Sequence, residues 1–213
     1  MKLFVITSRI PFPLDKGDKL RMYHQLKELS KYHKIYLCTI KSPLRKKHKI
    51  TTEVLNEFCE EVYFINQSLF LTFYSLLKSF FNSLPFQTAI FTEFLAKKKV
   101  NHIIDEIKPD HIYCQLTRAA EYVKDRKETK TIDYVDAFSK GMERRALKSN
   151  IFTKWLYEWE SSKQKNYEKS IFEAFNIHTI ISEEDKKHIS HPKRDQIHIV
   201  PNGVDFNYFS PKN

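Results

Sequence analysis

Short apolar runs alternate with longer amphipathic stretches from one end of this chain to the other. Leu3–Thr7 is an apolar run closed by a polar, proline-rich stretch, Ser8–Gly17, and reads as a strand buried on both faces. From Asp18 a helical period begins, with Met22, Tyr23, Leu26 and Leu29 on one face. Ile35–Ile40 is a second strand, followed by a basic loop, Lys41–Lys49. Glu53–Phe58 reads as a short helix and Glu61–Ile65 as a short strand. The apolar stretch Leu69–Phe81 and the stretch Thr92–Glu106, stopped before Pro109, read as helices. Strands follow at Asp110–Cys114 and Lys130–Tyr134, then helices at Ser139–Ser149 and Ile151–Phe175. In the last of these Phe152, Trp155, Leu156 and Trp159 fall at helical spacing. His178–Ile181 and Gln196–Val200 complete the strands, with a helix start between them at Ser182. Strands alternating with helices imply an α/β fold: a three-layer, doubly wound parallel sheet of Rossmann-like type.

Composition agrees with a folded domain. The chain has 213 residues, 41% of them hydrophobic and 14% aromatic, enough for one large core. No internal repeat or low-complexity linker interrupts it. Cys38, Cys59 and Cys114 are odd in number and widely spaced, with no C-x-x-C pair. Neither a disulfide framework nor a cysteine zinc site is indicated, and a reducing, cytoplasmic compartment fits. Cys38 and Cys114 fall on strands and read as packing residues. His24, His33, His102 and His111 show no ligand spacing, so no metal site is expected. Met1-Lys2 runs straight into the first strand, too short for a signal-peptide core. The formal net charge of +10 favours an anionic partner: nucleic acid, a phosphorylated substrate or an acidic membrane surface. No nucleic-acid recognition motif appears and the basic residues are scattered, which ranks nucleic acid last.

Three segments carry candidate chemistry. Pro11–Arg21 joins the first strand to the first helix, where doubly wound folds present backbone N–H groups to phosphates. Gly17 lets a ligand approach the backbone, and Lys16, Lys19 and Arg21 supply charge beside Asp18. The segment is neither G-x-G-x-x-G nor a Walker A loop, so neither NAD nor ATP binding is supported. From local spacing alone the simpler reading is a capped helix with solvated lysines. Thr131–Ser139 ends a strand and opens a helix. Asp133 and Asp136 there could hold sugar hydroxyls, while Asp136 or Ser139 could equally be a plain N-cap. At the end of the chain Val200-Pro201-Asn202-Gly203-Val204-Asp205 forces a turn at a strand end, since Pro201 has no N–H for a ladder and Asn202-Gly203 tolerates positive φ.

The closing string, with Phe209 and Pro211 after it, resembles the segment that ends the first domain of family 4 glycosyltransferases, GT-B enzymes built from two Rossmann-like domains facing a cleft. Pro11–Arg21 and the Asp133-Tyr134-Val135-Asp136 string resemble the bacterial subgroup associated with exopolysaccharide and PEP-CTERM/exosortase clusters. The resemblance implies an N-terminal, acceptor-side domain over residues 1–205, a linker from 206, and a donor-binding domain outside this chain. It implies transfer from a nucleotide sugar, bound mainly by that other domain, to a glycan or lipid-linked acceptor, with no metal or other cofactor. Its site residues would be Asp136 for catalysis, with Lys16, Gly17, Asp18, Lys19, Arg21, Ser139, Ser182, Asn202 and Gly203 binding substrate or phosphate. Many family members carry a histidine where this chain has Asp136. The family's E-x7-E donor pair belongs to the second domain, so Glu53 with Glu61 and Glu160 with Glu168 are chance spacings. The other reading is a stand-alone α/β module for an anionic ligand. The half-enzyme picture requires Gly17 and Asn202 at the same rim of the sheet.

Leu69–Phe81 is too short to span a bilayer, which needs ~20 apolar residues. It reads either as a core helix or as an interfacial one, with Lys78 and the basic loop Leu44–Lys49 reaching lipid phosphates at the inner face of the membrane.

Overall fold

In the computed structural model, which describes residues 1–44 and 53–203, alternate side chains of the first strand enter two different cores. Leu3 and Val5 of β1 (Lys2–Thr7) face one side, Phe4 and Ile6 the other, and all four are buried. The pattern repeats in β2 (Lys34–Lys41), where Ile35 and Leu37 oppose Cys38 and Ile40. Period-two alternation buried on both sides is the signature of a parallel sheet covered by helices. Seven parallel strands form one sheet in the order β3-β2-β1-β4-β5-β6-β7. β3 is Glu61–Asn66, β4 His111–Gln115, β5 Thr129–Asp133, β6 Ile177–Ile180 and β7 His198–Ile199. The order reverses between β1 and β4, the place where open α/β sheets leave a crevice at their C-terminal rim.

The smaller core lies under α1 (Gly17–Leu29) and α2 (Glu53–Asn56), with Met22, Leu26 and Leu55 fully buried. Burying Met22 and Leu26 contributes about 1.5–3 kcal/mol each. The larger core lies on the opposite face. It takes Val100 and Ile104 from α5 (Phe94–Ile107), Ala119 and Ala120 from α6 (Thr117–Ala120), and Tyr167 and Ile171 from α8 (Ile151–Ile171). The predicted helix to Phe175 is α8 followed by one 3-10 turn, Phe172–Ala174. The last strand is shorter than its apolar pattern, because Arg194–Gln196 form a 3-10 turn before it. Ser182 accepts a hydrogen bond from Asp185 N and caps α9 (Glu183–His188). Cys38, Cys59 and Cys114 are buried, and burial pushes the Cys38 and Cys59 thiols up to about 12, so all are inert packing groups.

One helix turns its apolar side outward. In α3 (Leu69–Ser79) Thr72 and Ser79 are wholly buried, while Phe70 is 77% and Phe73 59% exposed. The core-helix reading of this segment therefore fails. α3 is followed by α4 (Phe86–Ala89). The described residues include no helix long and apolar enough to cross a membrane. Of the basic loop, residues 45–49 lie outside the described residues, as do Val204, Asp205 and the expected linker 206–213.

Candidate functional site

The predicted site residues lie in the loops and helix starts that follow the C-terminal ends of β1, β5, β6 and β7, so they share one rim of the sheet. The arrangement starts from α1. Its face toward β1 and β2 is apolar, but Arg21 and Gln25 sit over β4 and β5, where the small core gives way to polar groups. Arg21 Nε donates to Asp133 Oδ2 at 2.8 Å, with both side chains almost fully buried. Asp133 also accepts from Tyr113 Oη at 2.9 Å and from the Val135 N–H at 3.1 Å. On its other side Arg21 Nη1 donates to the Val200 carbonyl and to Asn202 Oδ1, each at 2.9 Å. The first helix, the fifth strand and the closing turn are thereby held on one guanidinium, and Gly17 and Asn202 do lie at the same rim.

That network assigns internal partners to Arg21 and Asn202. Lys19, read from sequence as a free cation, is buried and paired with Asp15 at 2.7 Å. Asp18 is held bidentately by Arg9 at 2.7 and 2.9 Å, and its backbone carbonyl accepts from Gln115 Nε2 across the crevice at 2.8 Å. Lys16 and Gly17 remain exposed at the start of α1, which has no side-chain cap. A Cβ added at Gly17 would meet nothing within 4 Å, so this backbone faces open space. The same holds at Gly203.

The β5 loop is built under strain. Val135 has φ 64°, and Leu116, leaving β4 beside it, has φ 68°. Positive φ in a β-branched residue is rare and costs on the order of 1–3 kcal/mol. It is held by the bond from Val135 N to Asp133 and by Ile181 N donating to the Val135 carbonyl. The result turns Asp136 outward, into solvent. Enough protein still surrounds its carboxyl that partial desolvation, and then the nearby Asp185 carboxylate, raise its pKa above the ordinary value, against the pull of Arg118.

Neither Asp136 nor Ser139 is the N-cap that the sequence allowed. α7 (Phe138–Lys148) has Ala137 at that position, without a side-chain cap. Its free N–H groups are met from other elements instead: Asp185 Oδ1 accepts from Ala137 N at 3.5 Å, and Glu168 Oε1 from Ser139 N at 3.2 Å. Ser139 Oγ also donates to Glu168, so this serine faces α8 inside the protein. Burial pushes the Glu168 carboxyl up to about 7 against those hydrogen bonds. Glu160 does the same service for α4, accepting from the Phe86 and Gln87 N–H groups at 2.9 Å each. The Glu160 and Glu168 spacing thus serves helix termini. Ser182 caps α9 and, through Oγ, also donates to Asp185 at 2.5 Å.

Arg118 was missed from sequence. It enters directly after β4, with its guanidinium 4.3 Å from the Phe138 ring and donating to Gln87 Oε1 at 3.0 Å. Its one sequence signal was position, the first charged residue past a strand's C-terminal end. The rim therefore offers an outward Asp136, with the charges of Asp18, Asp185 and Arg118 near enough to set its ionisation, and an open helix entrance at Gly17. Such a surface can accept hydrogen bonds from hydroxyls and receive an anion. Among the described residues no three His, Cys, Asp or Glu side chains are grouped to hold a metal.

The fold has known counterparts. The chain superimposes on sucrose-phosphate synthase from Thermosynechococcus elongatus with a TM-score of 0.62 at 12% identity, covering 99% of this chain and 50% of that one. This is the Rossmann-like fold of a GT-B N-terminal domain. Weaker likenesses extend to the UDP-GlcNAc 2-epimerase of Methanocaldococcus jannaschii (TM-score 0.48, 13% identity, 94% of this chain and 45% of that one) and to TcCGT1 in complex with UDP (TM-score 0.43, 12% identity, 93% and 50%). No protein-family model matches the chain, and no curated protein matches its sequence. The chain spans about half the length of the solved proteins it resembles.

Proposed function

We propose that this chain is the acceptor-side half of a glycosyltransferase that moves a sugar from a nucleotide-sugar donor to an acceptor hydroxyl in bacterial cell-envelope or exopolysaccharide synthesis. The observation that carries the reading is the common rim. The Gly17 entrance, the strained Val135-Asp136 turn and the Asn202 turn lie together at the crevice of a fold shared with half of a sucrose-phosphate synthase. A fold alone hosts many reactions, so the site has to supply the chemistry. Asp136 is an outward carboxylate suited to hold a sugar hydroxyl. The α1 entrance, with the exposed Lys16, suits a diphosphate or an acceptor anion. Catalysis would rest on positioning and on stabilising the charge of a departing diphosphate, without a metal. The donor would be held mainly by a second domain outside this chain.

The test is transfer of radiolabel from a panel of nucleotide sugars to an envelope acceptor fraction, by residues 1–213 and by the complete product of the gene. The expected result is transfer by the complete product, reduced at least tenfold by Asp136→Asn, and none by residues 1–213. Turnover by residues 1–213 alone would overturn the half-enzyme reading. Absence of transfer by the complete product from every donor would overturn the transferase reading.

A further inference from the structure

We infer that the outer face of α3 is a docking surface for an anionic lipid bilayer. This goes beyond the proposed transfer reaction and rests on separate residues. A helix at the surface of a soluble domain normally turns its apolar side inward. α3 does the reverse: Thr72 and Ser79 are wholly buried, whereas Phe70, Phe73, Tyr74 and Leu77 stand in solvent. The apolar surface continues past both ends of the helix. At its start, Ser68 N donates to the buried Glu93 at 2.6 Å, which ties the start of α3, with the exposed Leu69, to the start of α5, with the exposed Phe94. At its end, Phe80 stacks on Trp159 of α8 with ring centroids 5.8 Å apart, and Phe81 is 92% exposed. Trp155 and Ile151 precede Trp159 at four-residue spacing on α8, and both are exposed. One apolar band therefore runs from α5 along α3 to the start of α8. Continuous exposed apolar surface of this kind marks an interaction site.

Charge selects the occupant. From Asn66 to Thr92 the chain has one charged residue, Lys78, which is exposed on α3, and no acid at all. Lys98 lies over the Phe94 ring at 4.4 Å, and Lys99 beside it is exposed. At the other end Lys148 and Lys154 border Ile151, with Glu158 as the local acid. The whole chain carries +10. Phe, Leu and Trp side chains edged by lysines match the interface between acyl chains and anionic headgroups, with the helix lying in the membrane plane. A second copy of the chain would bring the same cations against each other.

The experiment is co-sedimentation of the chain with vesicles of phosphatidylcholine and phosphatidylglycerol at 7:3, and with phosphatidylcholine alone, in 0.1 M salt. The expected result is binding to the mixed vesicles, several-fold weaker binding to the neutral ones, and at least tenfold loss in Phe70→Ser/Phe73→Ser/Leu77→Ser. Those side chains are solvent-exposed, so the variant should keep its circular dichroism and melting temperature. Trp155→Ser, on a different helix, gives a smaller loss in the same assay. Wild type left in the supernatant with both vesicles overturns the inference, as does a variant that binds as well as wild type. A wild-type dimer that the triple variant converts to monomer, with neither binding vesicles, overturns it in favour of a second copy.

Discussion

The two rims of the sheet solve the same problem in opposite ways. At the N-terminal rim, strand starts are fastened by surface contacts. Asp110 Oδ2 accepts from the Lys2 N–H at 2.6 Å, and Lys34 approaches Glu60 at 3.9 Å in solvent. A shallow open depression lined by Met1, Tyr32, His33 and Asp110 lies there, far from the strained loops. Among the described residues its one left-handed position, Lys108 with φ 49°, does the ordinary work of ending α5. At the C-terminal rim the fastenings are buried and charged: Arg21 with Asp133, and Glu168 with the start of α7. Two left-handed residues there, Leu116 and Val135, end no helix. Buried charge and strain are both costly, and they concentrate on the rim where such folds bind ligands. What differs is how much each rim must be held in one shape.

Removing one partner from each rim should give the largest separation. Asp133→Ala strands a buried guanidinium and should cost about 3–5 kcal/mol. Asp110→Ala, at an exposed contact, should cost no more than about 1 kcal/mol. Urea denaturation of both variants checks this, and equal losses would break the comparison. Asp133→Ala should also release the closing turn, read as faster amide exchange at Asn202 and Gly203 while β1 stays protected.

The next effect depends on pH. The Glu168 carboxyl has a folded-state pKa raised from 4.5 to about 7 by burial. Between those values the native state binds more protons than the unfolded state, so stability falls as pH rises through the window. Glu168→Gln should flatten that slope between pH 5 and 7, seen as a melting temperature that changes less with pH than in wild type. An unchanged slope would remove Glu168 as its source. No N-terminal-rim carboxylate substitution should have this effect.

A smaller effect is expected at Lys108. Glycine at this left-handed helix end should add about 0.5–1 kcal/mol to stability, since the residue serves only to stop α5. The smallest is Asp136→Asn, which should leave stability within about 0.5 kcal/mol because no fold contact depends on this outward carboxyl. A loss above 2 kcal/mol on thermal unfolding would show that Asp136 holds the fold together and would blur the distinction between the rims.

Much of the fold was legible before any coordinates. Leu3–Thr7 and Ile35–Ile40 are apolar on consecutive positions, and only strands covered on both faces require that. Met22 and Leu26 announced α1 by their spacing. Ser182 announced a cap through Asp185. The site was less legible, because side-chain type fixes what a group can do and leaves open whom it meets. Arg21 looked like a cation for phosphate, and Asn202 like a turn residue. Their 2.9 Å contact spans 181 positions of chain, and no local pattern reports it. Arg118 went unseen because a lone arginine after a short strand carries no periodic signal. α3 read as either a core or an interfacial helix because hydropathy counts apolar side chains without saying which way they point. Burial of Thr72 and Ser79, seven residues apart on one face, decides between the two.

By itself the sequence determined the order of strands and helices, the parallel sheet and the places where loops leave it, since hydrophobic period and turn chemistry are local properties. Tertiary structure decided which charges are neutralised within the protein, where the backbone is held at positive φ, and which face of α3 meets solvent. Those outcomes depend on the burial of groups far apart in the chain. Desolvation is a cost set by the surrounding fold, and residue identity alone does not contain it.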